Sequence, residues 1–194
     1  MLDDFFGTAE TADARARSLK ALPMAQQLAL EKLSVSEHSP GPIGDSEGLF
    51  RALDQPIHFQ NGELTPTAFG DAEARGLSIN RTSHISIDGA LSLAIERVKR
   101  VNQRKAENLS QSNSQHAEQK RRTFAYTVFK TLDLRMVLRE GPDVARRAFG
   151  VYDTAKQEDI SHGDVFFLLT ERQAWRSMRS KLYELAKPGL VVLD

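Results

Sequence analysis

The chain contains no cysteine. That excludes disulfides, thiolate metal sites and cysteine nucleophiles, and it suits a reducing compartment. Aromatic residues are scarce, at 7% of the chain, and none lies between Phe69 and Phe124. A base-stacking platform is therefore missing from that stretch. Net charge is absent too. With 26 basic and 26 acidic residues, overall charge argues neither for nor against a nucleic-acid partner. No window approaches the roughly 18 consecutive apolar residues of a membrane span. The N-terminal MLDDFF is acidic and has no basic region ahead of an apolar run, which predicts no signal peptide. A soluble, cytoplasmic protein that does not enter a membrane is expected.

The strong chemical motifs are also missing. There is no GxxxxGK phosphate loop, no GxGxxG after a strand, no HExxH, no GxSxG and no calcium loop. Histidines stand at 38, 58, 84, 116 and 162, with no pair at helical metal-ligand spacing. No metal site is expected from the sequence.

What is present suits one domain with an appendage. Hydrophobic residues make up 40% and charged residues 27% of 194, ordinary values for a globular chain that can bury a core. Residues 1–36 read as a helical arm, capped at Thr8 or Thr11, with Pro23 opening its second segment. The arm is either a helical hairpin packed on the domain or a partner-binding element offering Leu2, Phe5 and Phe6. Residues 37–47 form a linker rich in proline, glycine and serine. The α+β domain covers 48–194, with a flexible basic and polar loop at about 105–122.

The centre of that domain is Leu49–Ile87. Leu49–Leu53 and Gly76–Arg81 read as short strands, and Asn61-Gly62 marks a tight hairpin turn. Arg51 and Ser78 are thus polar residues inside apolar strands. Asp88 reads as the N-cap of an amphipathic helix over 89–107, with Leu91, Ile95 and Val98 at helical spacing. Phe124–Leu138 alternates with period two and predicts a strand, broken near Lys130–Asp133. Ala148–Thr154 and the run from His162 predict two more strands, the second buried. Thr170 and Gln173 form a capping-box pattern. It opens a helix carrying Trp175, Met178, Leu182 and Leu185, and LVVL predicts a closing strand. The expected fold class is α+β, with a mixed or mostly antiparallel sheet and packed helices.

Local charge is uneven. Between 97 and 122 lie Arg97, Lys99, Arg100, Arg104, Lys105, Lys120, Arg121 and Arg122 against Glu107 and Glu118, a local charge of +6. Such a segment can track phosphates by counterion release. It can equally be a solvated helix face followed by a loop.

Two arrangements could carry catalysis. Arg51, Ser78 and a late glutamate, Glu158 or Glu171, resemble the arginine–serine–glutamate order of ADP-ribosyltransferase-like proteins. In that family the arginine holds a phosphate of NAD and the carboxylate supports the ribose during transfer. The serine here is followed by Ile-Asn-Arg, and no Glu-x-Glu element appears late in the chain. His84-Ile-Ser86-Ile and His162-Gly-Asp164-Val resemble the paired His-x-Ser/Thr strands of two-histidine phosphoesterases, where the histidines act as acid and base. The second copy carries Asp where the hydroxyl should be.

Across 48–168, LFRALD, GELTPTAF, GLSINR, VYD and HGDV resemble small uncharacterised bacterial proteins of mobile or defence-type gene neighbourhoods. The resemblance implies an accessory or binding protein of a bacterial cytoplasmic system, acting through a protein partner, a second copy of itself or nucleic acid. The alternative is an ADP-ribosyltransferase-like or phosphodiester-processing enzyme.

Overall fold

The computed structural model describes residues 12–33, 37–112, 120–139 and 146–193. Thr8, Thr11, Leu2, Phe5 and Phe6, residues 113–119 and residues 140–145 lie outside them. In chain order the elements are α1 (Ala12–Ala21), α2 (Met24–Leu30), β1 (Gly48–Gln55), β2 (Phe59–Gln60), β3 (Glu63–Leu64), α3 (Asp71–Ala74), β4 (Leu77–Arg81), α4 (Ile87–Ser112) and β5 (Arg122–Lys130). There follow α5 (Thr131–Arg135), β6 (Leu138–Arg139), β7 (Arg146–Arg147), β8 (Phe149–Asp153), β9 (His162–Phe167), α6 (Arg172–Ala186) and β10 (Val191–Val192).

Six strands form one sheet in the order β10-β5-β1-β4-β9-β8, and every pairing in it is antiparallel. The β2–β3 hairpin turns at Asn61 and Gly62, both with positive φ, 52° and 83°. Only Asn and Gly adopt that geometry readily. In β4, Leu77, Ile79 and Arg81 are buried while Ser78 and Asn80 are half-buried, the period-two pattern of a strand. Strands β8 and β9 are buried along their whole length, as expected where both faces are covered.

One face carries the main core. Phe69, Phe129, Phe149 and Phe167 pack there beneath Ala174, Met178, Leu182 and Ala186 of α6. Each fully buried large side chain contributes about 1.5–3 kcal/mol. The opposite face is covered in two separate patches. Ala90 and Ala94 of α4 rest on Phe50 and Ala52. Ala16, Leu19 and Leu30 of the arm rest on Tyr152, Phe166 and Leu168. Directly opposed residues of neighbouring strands share a face. Phe50 faces Asn80 and Asn80 faces His162, while Ser78 faces Asp164. Between the two apolar patches the sheet therefore presents polar side chains.

The arm is a pair of packed helices. Lys20 Nζ sits 4.8 Å over the Trp175 ring and donates to the Glu73 carbonyl. Glu31, just past α2, is buried. It pairs with Arg147 at 2.7 Å and Arg135 at 3.7 Å, and it accepts the Val151 amide of β8, the outermost strand. Residues 37–47 contain no helix or strand, yet they are bound to the sheet. Arg81 donates twice to Glu47 at 2.8 Å and to the Gly41 carbonyl at 2.7 Å. Ile43 is buried in the main core.

Several local expectations are corrected. The α4 cap is Ser86, whose hydroxyl accepts the Gly89 amide at 3.1 Å, and the helix starts one residue before Asp88. Its inward stripe is Ala90, Ala94 and Val98, while Ile95 is 38% exposed. Alanine lets the backbone approach Phe50 closely, and Leu91 flanks that contact. The helix runs to Ser112 rather than ending at Glu107, and Arg122 already belongs to β5, so the expected 105–122 loop is helical as far as Ser112, and its 113–119 part lies outside the described residues. The alternating run after Phe124 ends at Lys130, at the expected break, but a helix rather than a continued strand follows. Thr131 donates its hydroxyl to the Glu47 carbonyl at 2.9 Å and Leu134 is buried, and these contacts turn the chain into α5. Glu171, not Thr170, caps α6, without a side-chain bond. Among the described residues no helix is long and apolar enough to cross a membrane.

Candidate functional site: a polar cleft over β4 and β9

Where the sheet face is left uncovered, a cleft of about 270 Å³ opens. Ser78 and Asn80 of β4 and His162 of β9 form its floor, Arg97 and Arg100 of α4 one wall, and Lys156 and Glu158 the facing turn. Leu93, 38% exposed, adds an apolar edge.

The floor is a connected hydrogen-bond network. Ser78 Oγ donates to Asp164 Oδ1 at 3.3 Å, and Thr154 Oγ1 donates to Asp164 Oδ2 at 2.8 Å. His162 Nδ1 lies 2.9 Å from Thr154 Oγ1 and 3.1 Å from the Thr154 carbonyl. Asn80 Nδ2 donates to Asp159 at 2.9 Å and to Ser161 at 2.8 Å. Asp159 also receives the Ser161 hydroxyl at 2.6 Å, and Lys156 and Asp159 exchange two backbone bonds of 3.0 Å. The β8–β9 turn is thereby tied to β4, which holds Lys156 and Glu158 over the cleft.

The walls are cationic. Arg97 reaches Asp54 at 3.4 Å and is 43% exposed. Arg100 and Lys156 are exposed and form no ion pair among the described residues. Arg97, Arg100 and Arg104 follow at i, i+3 and i+7 on α4, a single helical stripe. It leads from the cleft toward the helix C-terminus. Glu158 is the one acid on the rim that neither pairs nor hydrogen-bonds within the described residues.

Arg51 lies beside this site but not in its lining. The β1–β4 ladder ends at Phe50 and Asn80, and Arg51 Nη1 donates to the Ser78 carbonyl at 3.0 Å. Among the described residues only Asp71, at 3.8 Å, pairs with it, and Nε is buried without a partner there. Burial and then the nearby Arg97 guanidinium draw its pKa down to about 10, against Asp71, Asp54 and Asp164. Arg51 stays protonated at neutral pH.

The structure thus brings Ser78, His162, Glu158, Arg97 and Arg100 to one cleft, with Arg51 touching Ser78. It does not bring His84 there. His84 is exposed in the turn after β4, where its amide donates to the Arg81 carbonyl at 3.0 Å. Glu171 pairs with Arg139 and Arg146 instead. Among the other basic candidates, Lys99 pairs with Glu96 at 2.5 Å. Arg122 donates to Gln55 at 3.0 Å and lies 4.9 Å over the Phe124 ring. Arg121 is bound through its backbone to Asn102, Lys105 is half-buried, and Arg104 and Lys120 are exposed. Sequence reasoning missed Asn80, Thr154, Lys156 and Asp159. The usable signal was alternation: Asn80 stands two residues after Ser78, and Asp164 two after His162, each pair on one strand face.

No family model, curated protein or solved structure matches the chain.

Proposed function

We propose that this chain is a nucleic-acid-binding accessory protein. It holds one phosphate-bearing unit in the cleft and runs the strand along the Arg97–Arg100–Arg104 stripe. The observation that carries this is the pairing of rim cations that have no ion-pair partner among the described residues, Arg100 and Lys156, with a polar floor between two apolar patches. Cations without protein partners gain most from phosphate contact, because binding releases counterions and costs no existing ion pair. Size supports one unit rather than a dinucleotide. The cleft, at about 270 Å³, lies just below the roughly 300–1,000 Å³ of sites for drug-sized ligands. The competing assignment, an NAD-dependent transferase built on Arg51, Ser78 and Glu158, asks that space to take a larger molecule. It also asks a buried arginine outside the lining to hold the phosphate. A role in a bacterial cytoplasmic system, with a protein partner, belongs to the same proposal and rests on the sequence resemblance and the absence of cysteine.

The test is fluorescence anisotropy with labelled single-stranded and duplex oligonucleotides across a salt series. Binding is expected to weaken steeply with salt. The R100A/R104A variant is expected to bind all sequences more weakly and to lower the salt slope by about two, one per phosphate contact. Binding that ignores salt, or a double variant with the wild-type slope, overturns the proposal.

A further inference from the structure

We propose that the cleft cleaves RNA, with His162 as the base that takes the proton of a ribose 2′-hydroxyl. This rests on the reading of the cleft as a phosphate-binding site and goes beyond it.

The hydrogen-bond network fixes the proton on His162. The Thr154 carbonyl, 3.1 Å from Nδ1, can only accept. The Thr154 hydroxyl spends its single proton on Asp164, so toward Nδ1 at 2.9 Å it can also only accept. Nδ1 therefore carries the hydrogen, and in the neutral ring Nε2 carries the lone pair. Nε2 meets no protein group among the described residues, and the His162 ring lines the cleft. Asp164 and Thr154 orient a base as the second carboxylate or hydroxyl of a catalytic triad does. They are positioning residues.

Asn80 is oriented in the same way. Both N–H bonds of its amide are committed, to Asp159 and Ser161, which leaves Oδ1 as an acceptor. Ser78 gives its proton to Asp164. The floor thus offers acceptors, His162 Nε2 and Asn80 Oδ1, while the rim offers cations, Arg100 and Lys156. The complementary ligand places a hydroxyl donor immediately beside an anion. A ribonucleotide 2′-hydroxyl next to its 3′-phosphodiester has that arrangement, and a deoxyribonucleotide lacks the donor.

The reaction balances without a co-reactant. His162 Nε2 removes the 2′-hydroxyl proton, and the 2′-oxygen attacks the adjacent phosphorus. The 2′-O–P bond forms and the P–O5′ bond breaks. The 5′-oxygen leaves with a proton from the Lys156 ammonium, and His162 and Lys156 then exchange protons with water. The products are a 2′,3′-cyclic phosphate end and a free 5′-hydroxyl. Arg100 stabilises the charge that builds on the phosphoryl oxygens.

The experiment incubates the full chain with a labelled single-stranded oligoribonucleotide and with the same sequence carrying one 2′-deoxy position. Product ends are identified by mass spectrometry, and binding of each strand is measured in parallel. Cleavage to cyclic-phosphate ends is expected, with no cut at the deoxy position. H162A is expected to lose about 10²–10⁴-fold in rate while still binding the strand, which also reports that it is folded. T154V is expected to lower the rate and displace the acid limb of the rate–pH profile, and T154S to restore both. Wild-type binding without cleavage, or H162A cleaving at the wild-type rate, overturns this inference and leaves the binding proposal standing. Failure to bind any strand overturns both.

Discussion

Arg81 is buried, 2% exposed, and its removal tests what holds residues 37–47 to the sheet. Its guanidinium makes two bonds of 2.8 Å to Glu47, one of 2.7 Å to the Gly41 carbonyl, and a 3.5 Å ion pair with Asp153. R81M keeps most of the side-chain volume but leaves two carboxylates without their cation. Breaking a buried pair from one side costs about 3–5 kcal/mol. At about 2–4 °C per kcal/mol for a chain of this size, the midpoint falls by roughly 6–20 °C. Urea and thermal unfolding followed by the single tryptophan, Trp175, measure this. Lys99 is the internal control. Its pair with Glu96 spans 2.5 Å and both side chains are exposed, so K99M should cost less than about 1 kcal/mol. The difference should also depend on pH. Burial pushes the Glu47 carboxyl up, but the Arg81 guanidinium, the Gly44 amide and the Ser83 hydroxyl outweigh it and hold the pKa at about 2 instead of 4.5. A lowered carboxylate stabilises the fold above the unfolded value and loses that contribution as pH falls. The gap between wild type and R81M should therefore narrow from about pH 4.5 toward pH 2. An R81M cost within about 1 kcal/mol of the K99M cost refutes the reasoning, because it places Arg81 in the class of weak surface pairs.

Two further outcomes are expected. His58 accepts the Asp54 amide through Nδ1 at 2.8 Å, and burial, followed by Arg51, Arg97 and Arg121, draws its pKa from 6.5 down to about 3. The unfolded chain thus binds a proton that the fold refuses, so stability should decline as pH drops from about 6.5 toward 3. H58A should flatten that slope in pH-dependent urea unfolding. Gly76 has φ +91°, and a Cβ there would lie 2.7 Å from Phe166 Cζ. G76A should cost about 1–3 kcal/mol through strain and overpacking, read as a lower urea midpoint at unchanged m-value.

How much was legible from the sequence depended on whether a local rule or a tertiary contact decided each element. Asn61-Gly62 announced its hairpin because its φ values exclude most other residues. The 77–81 strand was visible in its alternation. The start of α4 was misplaced because Ser86 and Asp88 are both good caps, and only the Gly89 amide chooses between them. The break after β5 was expected near Lys130–Asp133, but the helix that follows it was invisible, since Thr131 turns the chain by bonding to Glu47, 84 residues away. In the site, Ser78 drew attention as a polar residue in an apolar strand, and His162 through its likeness to a His-x-Ser/Thr strand. Thr154, Asp159 and Lys156 did not, because their roles follow from a turn whose geometry is set by pairing with Asn80.

The Glu31 carboxylate has a consequence beyond fastening the arm. β8 is the last strand of the sheet, and an outermost strand with free amides is a template on which a foreign strand, or the same strand of another molecule, can add. Glu31 already occupies the Val151 amide. Any incoming chain would bring a carbonyl oxygen against a buried carboxylate whose charge is balanced by Arg147 and Arg135. The two helices of the arm thus work as a built-in plug that ends the sheet, and they protect the chain from edge-to-edge aggregation along β8.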